Sequence, residues 1–463
     1  MERILAGLND KQIEAVKVPD GPVLVISGPG SGKTRALTHR IAWLIANGTD
    51  PESILAVTFT NKAAGEIRER VHKLLGGKGT KPTVGTFHAV GLRILRREAK
   101  KIGYDPNFTI LDSADQQTLM KRVLASLEAR KELSPGAVLA KVQELKTALT
   151  APEQFKPSNF MESIIARAYA GYQRELKRMN GVDFGDLVML PVRLFQEHPA
   201  VLAHYQKQWH HILVDEYQDT SHDQYTLIRL LASQHRNLFV IGDDAQSIYR
   251  FRQADIRNIL NFQKDYPEAR IVLLEQNYRS TKNILAAAQA VISHNKAQIP
   301  KDLWTENDQG RPVEAVECAN EQHEARWLVE TLQSLGRDRY ALSDCAVLYR
   351  THAQSRALEE GLVRAGVPYR IVGGIRFYER REIKDVLAYL RVINNPADSV
   401  SFERIVNVPP RGIGRATLAK NGPAVQEFNS LLSDLRAIAT QKTVSSLIRD
   451  ILRETHYERY LAT

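Results

Sequence analysis

At 463 residues the chain is too long for one ordinary domain, so two to four are expected. It is 43% hydrophobic and 25% charged, which excludes disordered and fibrous classes; no apolar stretch approaches the roughly 20 residues that cross a bilayer. Sixty-three Lys and Arg against 53 Asp and Glu give a formal charge of +10, which suits a polyanionic partner.

The start, Met1-Glu2-Arg3-Ile4, shows no signal peptide, and the two cysteines, Cys318 and Cys345, are isolated. Reduced thiols in a cytoplasmic protein are the expectation. In chain order, residues 22–26 form a short apolar run typical of buried parallel strands, followed by a helical pattern over about 33–47. Residues 54–58 and 61–75 repeat the pairing, so the architecture is βαβ. From about 88 to 182 the pattern turns helical, with repeats over 114–130, 136–149 and 160–179 broken at Pro135, Pro152 and Pro157. Strand signals resume at 211–215, 237–241 and 270–274. The helical block therefore reads as an insertion into one parallel-sheet domain. After Ser280 a second α/β unit is expected, with a strand over 345–349, a helix over about 353–365 and a candidate hinge at Gly373-Gly374. The remainder reads as helical, without internal repeats.

Strand 22–26 runs into Ser27-Gly28-Pro29-Gly30-Ser31-Gly32-Lys33-Thr34 and then a helix. Glycines let backbone N–H groups turn inward around phosphates, and the helix N-terminus adds a favourable field. In such a loop Lys33 reaches the β- and γ-phosphates and Thr34 ligates Mg²⁺. The pattern wants Gly where Ser27 stands, a position that mainly has to be small. A P-loop also needs an acid at the end of another buried strand. Ile212-Leu213-Val214-Asp215-Glu216 supplies it, with Asp215 holding the metal shell and Glu216 orienting or deprotonating the attacking water. Adjacent acids at a strand end are also common as solvated residues; the P-loop upstream favours catalysis.

Further strings narrow the class: Leu8-Asn9-Asp10-Lys11-Gln12, Thr58-Phe59-Thr60-Asn61-Lys62, Gly85-Thr86-Phe87-His88, Asp215-Glu216-Tyr217-Gln218-Asp219-Thr220, Gly242-Asp243-Asp244-Ala245-Gln246 continuing to Phe251-Arg252, and Gln276-Asn277-Tyr278-Arg279-Ser280. In order, over about residues 8–418, the chain resembles the Rep/UvrD/PcrA family of superfamily 1 helicases. That resemblance implies an α/β fold: a RecA-like P-loop NTPase sheet over 1–88 and 183–280, a helical insertion over 89–182, the first half of a second RecA-like domain over 281–375, and an incomplete helical subdomain over 376–463. It implies a monomeric, ATP- and Mg²⁺-dependent motor moving 3′ to 5′ on single-stranded DNA and opening duplex at single/double-strand junctions.

The resemblance also assigns roles. Gln12 reads adenine and Tyr278 stacks on it. Gly28, Gly30, Ser31, Gly32, Lys33, Thr34 and Arg35 hold the nucleotide, Gln246 and Arg279 address the γ-phosphate, and Glu216 is the catalytic carboxylate that orients or deprotonates water. Phe59, Asn61, His88, Phe251 and Arg252 face DNA, with Phe59 and Phe251 as stacking platforms. Many members have Trp where Phe251 stands, Asp where Gly185 stands and Asn where His352 stands. Arg93, Arg97, Lys100 and Lys101 share one helical face that is either solvated or phosphate-directed. Pro410-Arg411-Gly412-Ile413-Gly414 resembles a backbone-binding loop. Nothing after Leu418 resembles motifs V and VI, so an incomplete, weakly active portion is expected. The alternatives are the motor of a RecB/AddA-like helicase–nuclease and an ATP- and DNA-binding fragment without helicase activity.

Overall fold

The structure is a computed structural model and describes residues 2–462 apart from 78–80, 129–132, 339, 373–377 and 379. The hinge expected at Gly373-Gly374 lies outside the described residues. The chain forms two compact units, residues 1–310 with 385–463, and residues 311–384.

In the first unit, short β-branched and apolar runs form the strands β1 (Val23–Ser27), β2 (Ile54–Thr58), β3 (Thr83–Thr86), β4 (Thr109–Ile110), β5 (Gly181–Val182), β6 (His211–Val214), β7 (Leu238–Gly242) and β8 (Arg270–Leu274). Six of them make one sheet in the order β3-β2-β6-β7-β1-β8, all parallel, and β4 pairs separately with β5. Both faces of the sheet are covered, which is why β1 and β2 are buried throughout and apolar up to the polar residues Ser27 and Thr58 at their carboxyl ends. Side chains alternate: Leu24 and Ile26 pack with Phe87, Ile94, Trp209 and Tyr217, while Val23 and Val25 pack with Leu37, Ile41 and Ile67. The parallel order carries every strand's carboxyl end to one edge, where α/β folds bind ligands. The short β3 has no apolar run of its own and escaped the sequence pattern.

The insertion is helical as expected, with Ser113–Ser126, Pro135–Thr147 and Phe160–Arg178 closing on Tyr169 and Tyr172. Their starts are set locally, by a capping box at Asp112 and by Ser134 capping a helix whose first residue is Pro135. The C-terminal helices Ser399–Ile405, Pro423–Ala439 and Val444–Glu454 gather around Tyr389, Phe428 and Ile451. They are tied to the insertion by buried Asn395, whose amide donates to Thr109 Oγ1 and Met179 O, and by Arg391 bonded to Asp115 at 2.7 Å.

The second unit pairs helices Glu321–Arg337 and His352–Arg364, with Gly361 packed against Ala325 and Leu332, Leu358 and Leu362 buried. The strand expected over 345–349 does not form. An apolar run becomes a strand only when a neighbour completes its ladder, and the described residues of this unit contain no strand; Leu348 is 95% exposed.

Candidate nucleotide and nucleic-acid site

The loop after β1 needs glycine twice. Gly30 and Gly32 have φ of +67° and +86°, and a Cβ on Gly30 would lie 2.8 Å from Arg279 Cβ and 2.9 Å from Asn277 Nδ2. Ser27 is more than a small residue here, because its hydroxyl donates to Gly242 O at 2.9 Å and ties the loop to the end of β7. The loop feeds the N-terminus of helix Lys33–Ala46, so Lys33 and Thr34 occupy its first turn, with exposed Arg35 behind them.

Opposite stands the end of β6. Lys33 Nζ lies 3.4 Å from Glu216 Oε2 yet has no hydrogen-bond acceptor, although it is buried. Asp215 Oδ2 accepts weakly from Thr58 Oγ1 at 3.4 Å, and its buried Oδ1 has no partner. Burial, then the neighbouring Glu216, pushes the Asp215 carboxyl up to about 7, while Lys33 opposes the shift. Glu216 itself sits at φ +51°, a left-handed conformation uncommon for a non-glycine residue and concentrated at functional sites. A buried lysine nitrogen and a buried carboxylate oxygen without partners fit a phosphate and a divalent cation, and Asp215 and Thr34 are the residues that could hold that cation.

From Glu216 a chain of bonds runs outward. Gln218 Nε2 donates to Glu216 Oε2 at 2.9 Å, Gln218 Oε1 accepts from Asp243 N at 2.9 Å, and Asp243 Oδ2 accepts from Gln246 Nε2 at 2.7 Å. Gln246 is thereby brought to the same strand-end edge as Glu216. The loop 275–280 closes the other flank: Asn277 Nδ2 donates to Pro29 O, Asn277 Oδ1 accepts from Arg279 N and Ser280 N, and Tyr278 N donates to Gly30 O at 3.0 Å. Tyr278 is half exposed and its hydroxyl joins Asn9 Nδ2 and Gln276 Oε1, while Arg279 is exposed beside Gly30. Gln12 is buried; its Oε1 accepts from Asn9 N and its Nε2 donates to Ser31 O at 2.9 Å. One N–H and one lone pair of the amide stay uncommitted for a base edge.

The same sheet edge carries a second, aromatic face. Phe59 stacks on Tyr249 with centroids 5.2 Å apart, Tyr249 leans on Phe251, and Arg252 lies over both Tyr249 and Phe251 at 5.2 and 5.6 Å. His88 meets the exposed Phe184 edge-on. Phe59, His88 and Arg252 line a cavity of about 230 Å³ with Thr86, Thr147 and Gly185. Phe251, 67% exposed, stands outside that lining, as does Asn61 at the start of helix Asn61–Leu74. The sequence assigned no role to Gln218, Tyr249, Asn277 or Phe184, although all four sit in strings that resemble the family, Phe184 within Asp183-Phe184-Gly185-Asp186-Leu187.

Two family descriptions match: UvrD/REP helicase N-terminal domain over residues 8–267 and UvrD-like helicase C-terminal domain over residues 272–457. The chain belongs to the UvrD/REP helicase family. The C-terminal match extends well beyond Leu418, where the recognisable strings stop. Similar proteins include the ATP-dependent DNA helicase PcrA of Bacillus subtilis, 44% identical over 99% of this chain and 66% of that protein. The PcrA of Leuconostoc citreum is 47% identical over 96% of this chain and 60% of its own length. That of Staphylococcus epidermidis is 44% identical over 99% and 65%. The chain thus spans about two thirds or less of the curated relatives it matches. A UvrD/REP assignment agrees with the parallel P-loop sheet, and among the described residues no helix is long and apolar enough to cross a membrane.

Proposed function

We propose that this chain is the motor portion of an ATP-dependent DNA helicase, binding ATP with Mg²⁺ and moving 3′ to 5′ along single-stranded DNA towards junctions with duplex. One observation carries the reading. The segment 243–252 belongs to both faces, its first half bonded through Gln218 to Glu216 and its second half forming the aromatic row Tyr249, Phe251 and Arg252. A change in phosphate occupancy at Gln246 is transmitted to the rings three and five residues later, which is what coupling hydrolysis to movement on DNA requires.

In this reading Lys33 and the loop amides bind the phosphates, Asp215 and Thr34 hold the cation that neutralises charge on them, and Glu216 takes the proton of the attacking water. Gln246 and Arg279 address the γ-phosphate, Gln12 and Tyr278 the adenine, and Phe59, Asn61, His88, Phe251 and Arg252 the strand. The four-part division is retained: an ATPase core over 1–88 and 183–280, an insertion over 89–182, part of a second core over 281–375 and a helical subdomain over 376–463. The setting is cytoplasmic DNA repair or replication, and the motor is a monomer. The 463 residues alone turn over slowly, because the resemblance puts a further phosphate-directed arginine in motifs the sequence after Leu418 does not show, and such an arginine is worth about 10³–10⁵ in rate. The test is ATP hydrolysis with and without single-stranded DNA, together with strand separation. Slow hydrolysis that DNA accelerates supports the proposal; hydrolysis indifferent to DNA refutes it.

A further inference from the structure

Residues 299–304 form a strap, and it is anchored twice to the phosphate edge of the sheet. At one end Trp304 O accepts from Asn277 N at 2.7 Å, Trp304 N donates to Glu275 O, and the Leu303 side chain rests on Gly28, where a Cβ would come within 2.2 Å of it. At the other end Ile299 N donates to Asp244 Oδ2 at 2.9 Å. Between them Lys301 Nζ reaches Asp243 Oδ1 at 2.9 Å and Asp244 Oδ1 at 2.5 Å. Both carboxylates are fully buried and the lysine is nearly so.

Two adjacent buried carboxylates repel and lose hydration, and the Lys301 ammonium between them offsets both costs. Asp243 is the residue that fixes Gln246. Its Oδ2 receives the Gln246 amide, while its Oδ1 receives Ala245 N and Lys301 Nζ together. Without Lys301 the two carboxylates face each other with no cation between them, Asp243 turns away from Asp244, and Gln246 loses its fixed acceptor. We infer that Lys301, more than fifty residues beyond the Asp243–Gln246 segment, is a positioning residue that holds Gln246 towards the phosphate loop through Asp243. The inference rests on the nucleotide reading above.

The test is equilibrium binding of fluorescent ADP and ATPγS to the 463-residue chain. Lys301→Met is expected to leave ADP affinity within about twofold and to lower the preference for ATPγS about tenfold, the worth of one charge-assisted hydrogen bond. Gln246→Ala should give the same loss, and adding Lys301→Met to it should cost nothing further, since both act on one contact. Lys301→Arg should restore most of the preference. Should Lys301→Met fail to fold, Lys301→Gln, which fills similar space without the charge, must show the same loss. Retained triphosphate preference in either variant, or additive losses with Gln246→Ala, would overturn the inference. An unsubstituted chain that binds ADP and ATPγS equally overturns it as well, whereas one that binds neither overturns the nucleotide reading itself.

Discussion

The proposed nucleotide side and the proposed DNA side share one edge of one sheet and are built oppositely. On the nucleotide side, buried polar groups hold one another at hydrogen-bond distance, from Glu216 through Gln218 and Asp243 to Gln246, and leave Lys33 Nζ and Asp215 Oδ1 without partners at the centre. On the DNA side the contacts are ring on ring, half exposed, with Arg252 stacked over aromatic faces. Phosphoryl chemistry requires atoms fixed within a fraction of an ångström, and directional bonds in a dry setting give that. Movement along a strand requires contacts that any base can make and release, and aromatic faces give that.

The largest effect that separates the two sides is on turnover. Glu216→Gln keeps a hydrogen-bond acceptor for Gln218 and removes the base, so hydrolysis should fall by about 10²–10⁴. Binding of both ATP and DNA should stay within about twofold of the unsubstituted chain. Single-turnover hydrolysis alongside equilibrium binding of each ligand decides it. Lys33→Ala should instead abolish nucleotide binding and leave DNA binding intact. Loss of DNA binding in either variant would show that the sides are not separable.

The DNA side has a buried support that can be broken on its own. Lys146, fully buried, bonds Asp183 at 2.7 Å and Asp186 at 2.8 Å, and Tyr172 donates to Asp183. Burial, then Asp183, pushes the Asp186 carboxyl up to about 6, and Lys146 holds it down. Lys146→Met leaves two carboxylates buried without a cation and should cost about 3–5 kcal/mol of stability in chemical denaturation. Its neighbour Thr147 lines the cavity beside His88, so single-strand affinity should fall more than nucleotide affinity. Equal losses of both would mean that the insertion supports the whole unit.

Phe251→Ala removes a ring that is 67% exposed and should weaken single-strand binding by about 1–3 kcal/mol, equally for any base composition. Anisotropy with homopolymeric strands measures it. A strong base preference would show that hydrogen bonds, and not stacking, govern this face.

How much of this was legible follows the same division. The strands after 22, 54, 211, 237 and 270, the insertion's helices and every phosphate-loop residue announce themselves, because buried parallel strands are apolar runs and a P-loop has a strict local order. Residues that act by holding others do not. Gln218 and Asn277 matter through partners 25 and 248 positions away, and Lys301 through partners 57 and 58 positions away, distances no local pattern encodes. Phe184 looks like any core aromatic until burial is known. The run 345–349 misled for the converse reason, since its composition is that of a strand but the described residues offer it no neighbour.

The smallest effect is the most discriminating. His88 lines the cavity, and burial holds its imidazole below the usual histidine range. Its folded pKa is depressed, so it is neutral at pH 7 and remains so as pH falls through the ordinary value near 6.5. In the proposed role a neutral ring would bond DNA without displacing counterions. His88→Gln should therefore weaken single-strand binding by only about 0.5–1.5 kcal/mol and leave the salt slope unchanged. Arg252→Ala, by contrast, should lower that slope by about 0.7 for the one phosphate it neutralises. Anisotropy titrations across salt at pH 6, 7 and 8 check both. If the unsubstituted chain gains affinity between pH 7 and 6, and His88→Gln removes that gain together with part of the slope, then His88 is charged against phosphate. The DNA side would then hold a fixed electrostatic contact within its row of stacking rings.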